Sequence, residues 1–291
     1  MNEHPPSSNG FVGDFAPDEV LWEGPGECVR AARAPLSDRA EHVLKLVTSA
    51  DIEDEARAAR HLDAAETQRR CAESGEGWVR LVDAGALGPG SAYAITEAAS
   101  CSAEDLIQLR IRLRPSELSR IVGGVIAGLR VIHERCDDRV HGALRPSNVL
   151  VKGDHPGVWR GVLTDPAPTD LLGPDPEANA IGEQRALGAL IAQLVTFRTP
   201  RDGKLAGDQE RWDALGRTGR GWRALCETLL NAREPLDLDD LAARVEKLRR
   251  RAERPRAPGR LAGGAGVIGL LAVGAVVLFG TGGDAGKGGS T

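Results

Sequence analysis

The chain has 291 residues, which is enough for one domain of two lobes or for two small domains. Apolar residues make up 41% and charged residues 27% of the sequence, a balance typical of globular proteins rather than disordered ones. The formal net charge of −5 argues against a general affinity for nucleic acid. The five cysteines are scattered and form no C-x-x-C pair, which argues against a disulfide framework and against a zinc site.

The first half of the chain is rich in predicted strands. The chain begins MNEHPPSSNG, without the apolar h-region of a secretory signal, and residues 1–17 are predicted to form a flexible leader. Apolar, turn-bounded runs predict four strands, over 28–32, 42–47, 79–84 and 92–96. A charged, alanine-rich stretch between the second and third strands predicts a helix over 52–62.

Helices dominate the following part of the chain. Apolar side chains recur at helical spacing between Leu118 and Ile132 and again between Leu187 and Val195, which predicts two helices with a buried face. A last helix is predicted over 238–248 and closes the domain. A small strand-rich half followed by a larger helical half predicts an α+β fold of two lobes, with an N-lobe over 18–97 and a C-lobe over 98–248.

An uncharged, apolar stretch covers residues 261–283 and contains the run GVIGLLAVGAVVLFG. About 20 helical residues cross a hydrocarbon core of roughly 30 Å, so this stretch predicts one C-terminal transmembrane helix. A basic juxtamembrane linker, 249–260, precedes it, and the only basic residue after it is Lys287. The positive-inside rule therefore predicts a single-pass protein of the bacterial inner membrane, with the large domain in the cytoplasm and a short extracytoplasmic tail, 284–291.

Small residues in this segment also bear on how two copies of the predicted helix could associate in the membrane. Ala262 and Gly266 are spaced so that two such helices could approach closely, which suggests a homodimer through the transmembrane helix. The basic linker could also contact anionic lipid head groups, at about 1 kcal/mol per basic residue. The lipid bilayer is therefore the first partner that the sequence predicts.

The segment that carries most information about function reads HGALRPSNVLV and starts at His141, directly after an amphipathic helix. It resembles the catalytic loop H-R-D-L-x-x-x-N of protein kinases, with His141 and Asn148 at matching positions. In that family the Asp of the loop accepts the proton of the substrate hydroxyl, and the Asn binds a magnesium ion. Ala143 stands at the position of the Asp, and a methyl group cannot accept a proton.

Two further positions of the loop depart from the family pattern. Gly142 replaces the Arg that binds a phosphorylated activation loop in the family, so the resemblance implies that this mode of control is absent. Arg145 stands at the position of the lysine of the catalytic loop. The resemblance therefore implies that no catalytic residue of the loop is intact.

The region after the loop also resembles the kinase pattern. Asp165, in GVLTDPA, stands where the family has the metal-binding D-F-G motif, so Asp165 and Asn148 are the predicted magnesium ligands. A helix over 181–196, with Leu187-Gly188, resembles the central helix of the large lobe. Only 15 residues separate Asp165 from that helix, which leaves little chain for an activation segment.

In the predicted small lobe, Lys45 in HVLKLV resembles the lysine of the V-A-I-K strand that contacts the α- and β-phosphates. Glu55 falls where a helix of the small lobe supplies that lysine with a carboxylate partner. Glu97 falls at the hinge between the lobes, where backbone groups are offered to adenine. These roles are implied by the resemblance and by the order of the residues along the chain.

The glycine-rich loop is the poorest match to the family. Gly24 and Gly26 occupy its place, before a strand and upstream of Lys45. Glycine lets a backbone approach phosphate closely, but an acidic Glu23 beside it would oppose phosphate electrostatically. Gly24-Pro-Gly26 is also what an ordinary turn looks like, and both interpretations remain open.

Three functions are compatible with these residues. The first is a membrane-anchored pseudokinase that acts as a signalling or scaffold module for an unidentified protein partner, with weak binding of ATP and Mg²⁺. The second is an atypical, weakly active Ser/Thr protein kinase, because phosphoryl transfer depends mainly on positioning and electrostatics. The third is a small-molecule phosphotransferase, a class that uses a related H-G-D loop but needs the same missing Asp.

Overall fold

The computed structural model describes residues 12, 14–24, 27–34, 41–48, 53–137, 139–201, 203–205, 207 and 209–254. The side chains of residues 22 and 53–55 are outside that description. The described residues belong to a single unit that ends at Arg254. The predicted transmembrane segment 261–283 lies outside them. Within these ranges, no helix combines the length and the apolar character that a membrane crossing needs.

The small lobe is built on an antiparallel sheet of five strands in the order β1-β2-β3-β5-β4. The strands are β1 (Ala16–Gly24), β2 (Glu27–Arg33), β3 (His42–Val47), β4 (Leu81–Gly88) and β5 (Ser91–Glu97). Helix α1 (Glu53–Ala72) connects β3 to β4 and packs on β4 and β5. The four strands expected from sequence are present with small shifts of their ends, and β1 is an additional strand.

The large lobe is mainly helical. Its longer helices are α3 (Pro115–Arg135), α4 (Pro176–Thr196), α6 (Gly219–Leu230) and α7 (Leu238–Glu253), and its short ones are α2 (Ala103–Gln108) and α5 (Gln209–Asp213). A small antiparallel sheet accompanies them, formed by β6 (Cys101–Ser102), β7 (Val149–Lys152) and β8 (Arg160–Leu163). The predicted α+β, two-lobed architecture is therefore confirmed.

The core of the large lobe follows from the apolar periodicity of α3. Its side chains at Leu118, Ile121, Val125 and Leu129 are fully buried, and the helix packs on α7 and β8. Gly124 and Gly161 let α3 and β8 come into close contact, since a Cβ at Gly124 would lie 2.1 Å from the carbonyl oxygen of Gly161. This packing sets the position of the loop that connects α3 to β7.

Three helices differ in length from the sequence prediction, and one of them, α4, was expected over 181–196 but begins already at Pro176. Helix α1 was expected over 52–62 but continues to Ala72, because its buried face is made of small residues such as Ala58 and Ala65 that give little apolar periodicity. Helix α7 was expected to end at residue 248 but continues to Glu253, where Glu246 and Arg249 form an ion pair of 2.7 Å one turn apart. The first residues of the predicted basic linker are thus helical.

Candidate functional site

A cavity of about 1090 Å³ lies between the five-stranded sheet and the large lobe. Its upper wall consists of side chains from β2, β3 and β5, which point to the same face because they alternate along each strand. Its lower wall consists of the loop after α3, the start of β7 and the end of β8. The residues expected at the phosphate and metal positions, Lys45, Asn148 and Asp165, all line this cavity.

His141 anchors the lower wall from below. Its side chain is completely buried, its ring stacks on Trp78 with 5.5 Å between the ring centroids, and its Nε2 donates to the carbonyl oxygen of Thr164 at 3.0 Å. Its Nδ1 accepts from the backbone N–H of Ala143 at 3.3 Å. Burial lowers the pKa of His141, while the Glu183 carboxylate acts in the opposite direction. A neutral, doubly hydrogen-bonded histidine is a structural element of the loop.

The backbone of the loop is held by a buried carboxylate from α4. Glu183 is only 5% exposed, and its Oε1 accepts from the backbone N–H groups of His141 and Gly142, the second at 3.4 Å. Its Oε2 lies 3.2 Å from Nε2 of His133 at the end of α3. Three elements of the large lobe therefore meet at one side chain.

Two positions that depart from the kinase pattern, Gly142 and Ala143, are more exposed than the buried residues that hold the loop. Gly142 is exposed and has a φ of 70°, a left-handed conformation that L side chains adopt rarely. A Cβ at this position would lie 2.3 Å from Cδ2 of Leu172 and 2.8 Å from Cβ of Ala167. Ala143, the next residue, is partly exposed and offers only a methyl group where a general base would stand.

Asn148 is buried and its carboxamide is largely engaged. Its Nδ2 donates to the carbonyl oxygens of Ala143 at 2.9 Å and of Asp165 at 3.3 Å. Its Oδ1 accepts from Nε of Arg145 at 3.3 Å and from Oγ of Ser147 at 3.4 Å. Asn148 thus joins the loop to the strand end that carries Asp165, and Arg145 contacts it directly.

Asp165 has an unusual backbone and a fixed orientation. Its φ is 52°, which is uncommon for a residue other than glycine and is often found at functional sites. Its backbone N–H donates to Oε1 of Gln68 on α1 at 3.1 Å, and the same oxygen accepts from Oγ1 of Thr164. Its Oδ1 lies 3.3 Å from Nζ of Lys45, so the lysine and the aspartate meet in the cavity.

The nearer carboxylate partner of Lys45 is Glu27, the first residue of β2. The Lys45 Nζ lies 2.8 Å from Oε1 of Glu27, and the other carboxylate oxygen lies 3.5 Å from Arg57 on α1. Burial acts to lower the pKa of Lys45, but the carboxylates of Asp165 and Glu27 outweigh it and raise that pKa. The expected partner, Glu55, lies on α1, but its side chain is outside the described residues, so that pairing stays a prediction.

Glu97 ends β5 at the hinge between the lobes. Its carboxylate contacts Nζ of Lys152 at 2.7 Å and Nη1 of Arg80 at 3.4 Å, and the hydrogen bond from Lys152 contributes most to lowering the pKa of Glu97. Its backbone N–H donates to the carbonyl oxygen of Arg80. Glu97 is not among the described residues that line the cavity, whereas Thr96, Ala99, Ser100 and Cys101 beside it are.

The predicted glycine-rich loop is a short connection between β1 and β2. Gly24 is the last residue of β1 and pairs with Glu27 across the hairpin, and Gly26 lies outside the described residues. Glu23 is exposed on β1 and is not among the described residues that line the cavity. The acidic side chain that faces the cavity from this hairpin is therefore Glu27.

Sequence reasoning missed four side chains that organise the site: Glu27, His61, Gln68 and Glu183. Alternation along β2 would have placed Glu27 on the same face as Val29, and an unbroken α1 would have brought His61 and Gln68 to one side of the helix. Burial and the nearby Lys45 cation lower the pKa of His61. Glu183 had no distinguishing signal, since α4 also carries Glu177 and other polar residues such as Gln184 and Arg185.

These lobes, the cavity between them and the loop at its base define a protein kinase-like fold. Among solved structures, the chain is similar to the crystal structure of the PknI kinase domain from Mycobacterium tuberculosis, a double mutant. The two share 17% sequence identity with a TM-score of 0.58, and the match covers 84% of this chain and all of that one. No family model matches the chain, and no curated protein matches it. The similarity therefore shows the fold, and function must be argued from the site.

Proposed function

We propose that this chain is a pseudokinase, a kinase-like module that acts by binding and does not transfer phosphoryl groups. The observation that carries the proposal is Ala143, which has no group able to accept a proton at the base position of a loop whose backbone is held by His141 and Glu183. A general base contributes typically 10²–10⁴-fold to a rate. The buried contacts of His141 and Asn148 support the loop as a scaffold without supplying that base.

The same cavity supports weak binding of a nucleotide with Mg²⁺ as part of this proposal. Asp165 and Asn148 offer a carboxylate and a carboxamide oxygen, the hard donors that Mg²⁺ prefers. The fit is partial, because Lys45 already contacts Asp165 and Arg145 contacts the Asn148 oxygen. A bound magnesium ion would neutralise phosphate charge, and Lys45 would bind phosphate if Glu27 released it.

A weakly active Ser/Thr kinase is the second candidate, and the contact between Lys45 and Asp165 favours it. Phosphoryl transfer is achieved mainly by positioning and charge neutralisation, and these two residues stand together at the cavity as those roles require. A small-molecule phosphotransferase has no comparable support, since it needs the same carboxylate that Ala143 lacks.

The pseudokinase is proposed to be anchored in the bacterial inner membrane by residues 261–283, with its kinase-like domain in the cytoplasm. The uncharged length of that segment and the basic residues before it support this topology. A membrane-anchored module without catalysis would act through a signalling protein partner or through a second copy of its own helix. Carbonate extraction of membranes should retain the full chain and release a variant that lacks 261–283, and equal release of both would contradict the anchor.

The decisive experiment for the pseudokinase is a phosphoryl-transfer assay on the full chain in detergent, with labelled ATP and Mg²⁺. We expect incorporation into the chain and into generic protein substrates to equal the background of the Lys45→Met variant. Transfer by the unmodified chain that Lys45→Met abolishes would establish the weakly active kinase instead.

A further inference from the structure

The most unusual feature of the cavity is the carboxylate of Glu27. Its two oxygens lie 2.8 Å from Nζ of Lys45 and 3.5 Å from Nη2 of Arg57, so one acidic group bridges two cations. The Lys45 and Glu27 side chains are only 22% and 23% exposed, which limits the screening of their interaction by water. A bridging anion between a lysine and an arginine is the arrangement in which a phosphate is commonly bound.

The geometry of the sheet explains why Glu27 reaches this place. Strands β2 and β3 pair Val29 with Lys45 and Glu27 with Val47, so Glu27 is a diagonal neighbour of Lys45. Both Val29 and Glu27 point to the face that lines the cavity. The carboxylate is thus carried on the first residue of a paired strand, and its position is set by the strand register.

Lys45 has little capacity left for a phosphate in this arrangement. An ammonium group has three N–H donors, and Lys45 already contacts carboxylates of Glu27 at 2.8 Å and Asp165 at 3.3 Å. A phosphate could take the place of Glu27 only by displacing a carboxylate that is already ion-paired, and the displaced carboxylate would remain close to the new anion.

The charges of the other side chains that line the cavity also disfavour the binding of a phosphate. The residues that line the cavity include four carboxylates, Glu27, Glu104, Asp105 and Asp165. They include only two permanently cationic side chains, Lys45 and Arg145. A cavity with an excess of negative charge repels a nucleoside triphosphate. The walls on the sheet side are apolar, with Val29, Val43 and Ala94, and suit a flat uncharged ring system.

We propose that Glu27 occupies the phosphate position beside Lys45, so that the cavity binds an uncharged nucleoside in preference to a nucleoside triphosphate. The inference deepens the proposed function, on which it rests, by assigning the class of ligand that the non-catalytic cavity takes. Glu27 is then a specificity-determining residue, because its negative charge repels a phosphate and its carboxylate fills the place that a phosphate would take.

If Glu27 instead assisted phosphate binding, removing its charge would change the affinity for ATP in the opposite direction. A carboxylate beside Lys45 could instead orient the lysine towards phosphate, and removing it would then weaken the binding of ATP. If Glu27 excludes phosphate, removing its charge strengthens the binding of ATP. The sign of the change in ATP affinity therefore separates the two roles.

The first test uses the unmodified full chain in detergent and needs no variant. Isothermal titration with adenosine, AMP, ADP and ATP, each with and without Mg²⁺, should show affinity decreasing along the series, with adenosine at least about tenfold tighter than ATP at low ionic strength. ATP binding that is tighter than adenosine binding, or no measurable adenosine binding at millimolar concentration, would overturn the proposal.

The second test compares Glu27→Gln with Glu23→Gln, a matched loss of charge on the exposed side of the same hairpin. Glu27→Gln should raise ATP affinity by about tenfold and leave adenosine affinity within about twofold, whereas Glu23→Gln should change neither. A loss of ATP affinity in Glu27→Gln, or equal effects of the two variants, would overturn the proposal. These affinities are independent of phosphoryl transfer, so an unmodified chain that shows no transfer but prefers ATP would retain the pseudokinase and reject this inference.

Discussion

The loop at the base of the cavity and the strand pair above it differ in how they depart from a kinase site. In the loop, the residues that match the kinase pattern are the buried ones, His141 and Asn148, which are 0% and 3% exposed. The residues that depart from it, Gly142 and Ala143, are exposed or partly exposed. Above the cavity Lys45 is present, but its nearer carboxylate partner is Glu27 from a neighbouring strand.

This contrast separates two kinds of residue in a kinase-like site. His141 and Asn148 hold the loop together through hydrogen bonds to backbone groups of Ala143, Thr164 and Asp165, and these contacts do not depend on whether the protein catalyses a reaction. The methyl group of Ala143 can form no hydrogen bond, so this side chain adds nothing to the hydrogen bonds that hold the loop. The part of the motif that this chain shares with kinases is therefore the part that holds the loop together, and similarity at these positions carries no information about catalysis.

The largest expected effect on the free energy of unfolding concerns Glu183, the buried carboxylate that holds the backbone of the loop. Replacing Glu183 by Ala leaves the N–H groups of His141 and Gly142 and the ring of His133 without their buried acceptor, which should lower the free energy of unfolding by about 3 kcal/mol or more. Urea unfolding of the full chain in detergent measures this loss. Glu227→Ala, which removes an exposed ion pair with Arg223, should cost about 0.5 kcal/mol or less. A loss below about 1 kcal/mol in Glu183→Ala would show that the loop does not depend on this carboxylate.

A smaller effect is expected from packing around α4, and two glycines of that helix provide matched variants. A Cβ at Gly188 would lie 2.9 Å from Cβ of Leu229 and 3.1 Å from the backbone N of Leu230, so Gly188→Ala should destabilise by about 1–3 kcal/mol. A Cβ at Gly182 meets no atom of the described residues within 4 Å, and Gly182→Ala should stabilise the helix by about 0.5–1 kcal/mol. The midpoints of thermal unfolding should move in opposite directions. A shift of both in the same direction would contradict the close contact between α4 and α6.

The smallest effect is expected at the strand pair above the cavity. Lys45→Met removes two ion pairs but also the cost of partly burying a charge, and Arg57 remains beside Glu27, so the free energy of unfolding should change by about 1 kcal/mol or less. The same urea titration measures it. A loss as large as that of Glu183→Ala would mean that Lys45 belongs to the scaffold, and the contrast between the two regions would then fail.

The order of elements was predictable from sequence wherever periodicity or spacing was strong. The stripe of α3 and the H-x-x-x-x-x-x-N spacing of the loop predicted the large lobe, because amphipathic helices and compact motifs are encoded by neighbours in the chain. Helix α1 was predicted too short, since its buried alanines contrast little with its exposed residues. Strand β1 was missed, as its run from Ala16 to Gly24 shows no clear alternation.

The amino-acid sequence by itself determined the two-lobed class of fold and the absence of a carboxylate at Ala143, both of which depend on local pattern and residue identity. Only the tertiary structure decided which groups stand next to Lys45 and what holds the loop. Glu27 approaches Lys45 because of the β2–β3 register, and Glu183 approaches His141 across 42 positions of the chain. Such long-range contacts depend on how elements pack, and a single sequence carries no local signal for them.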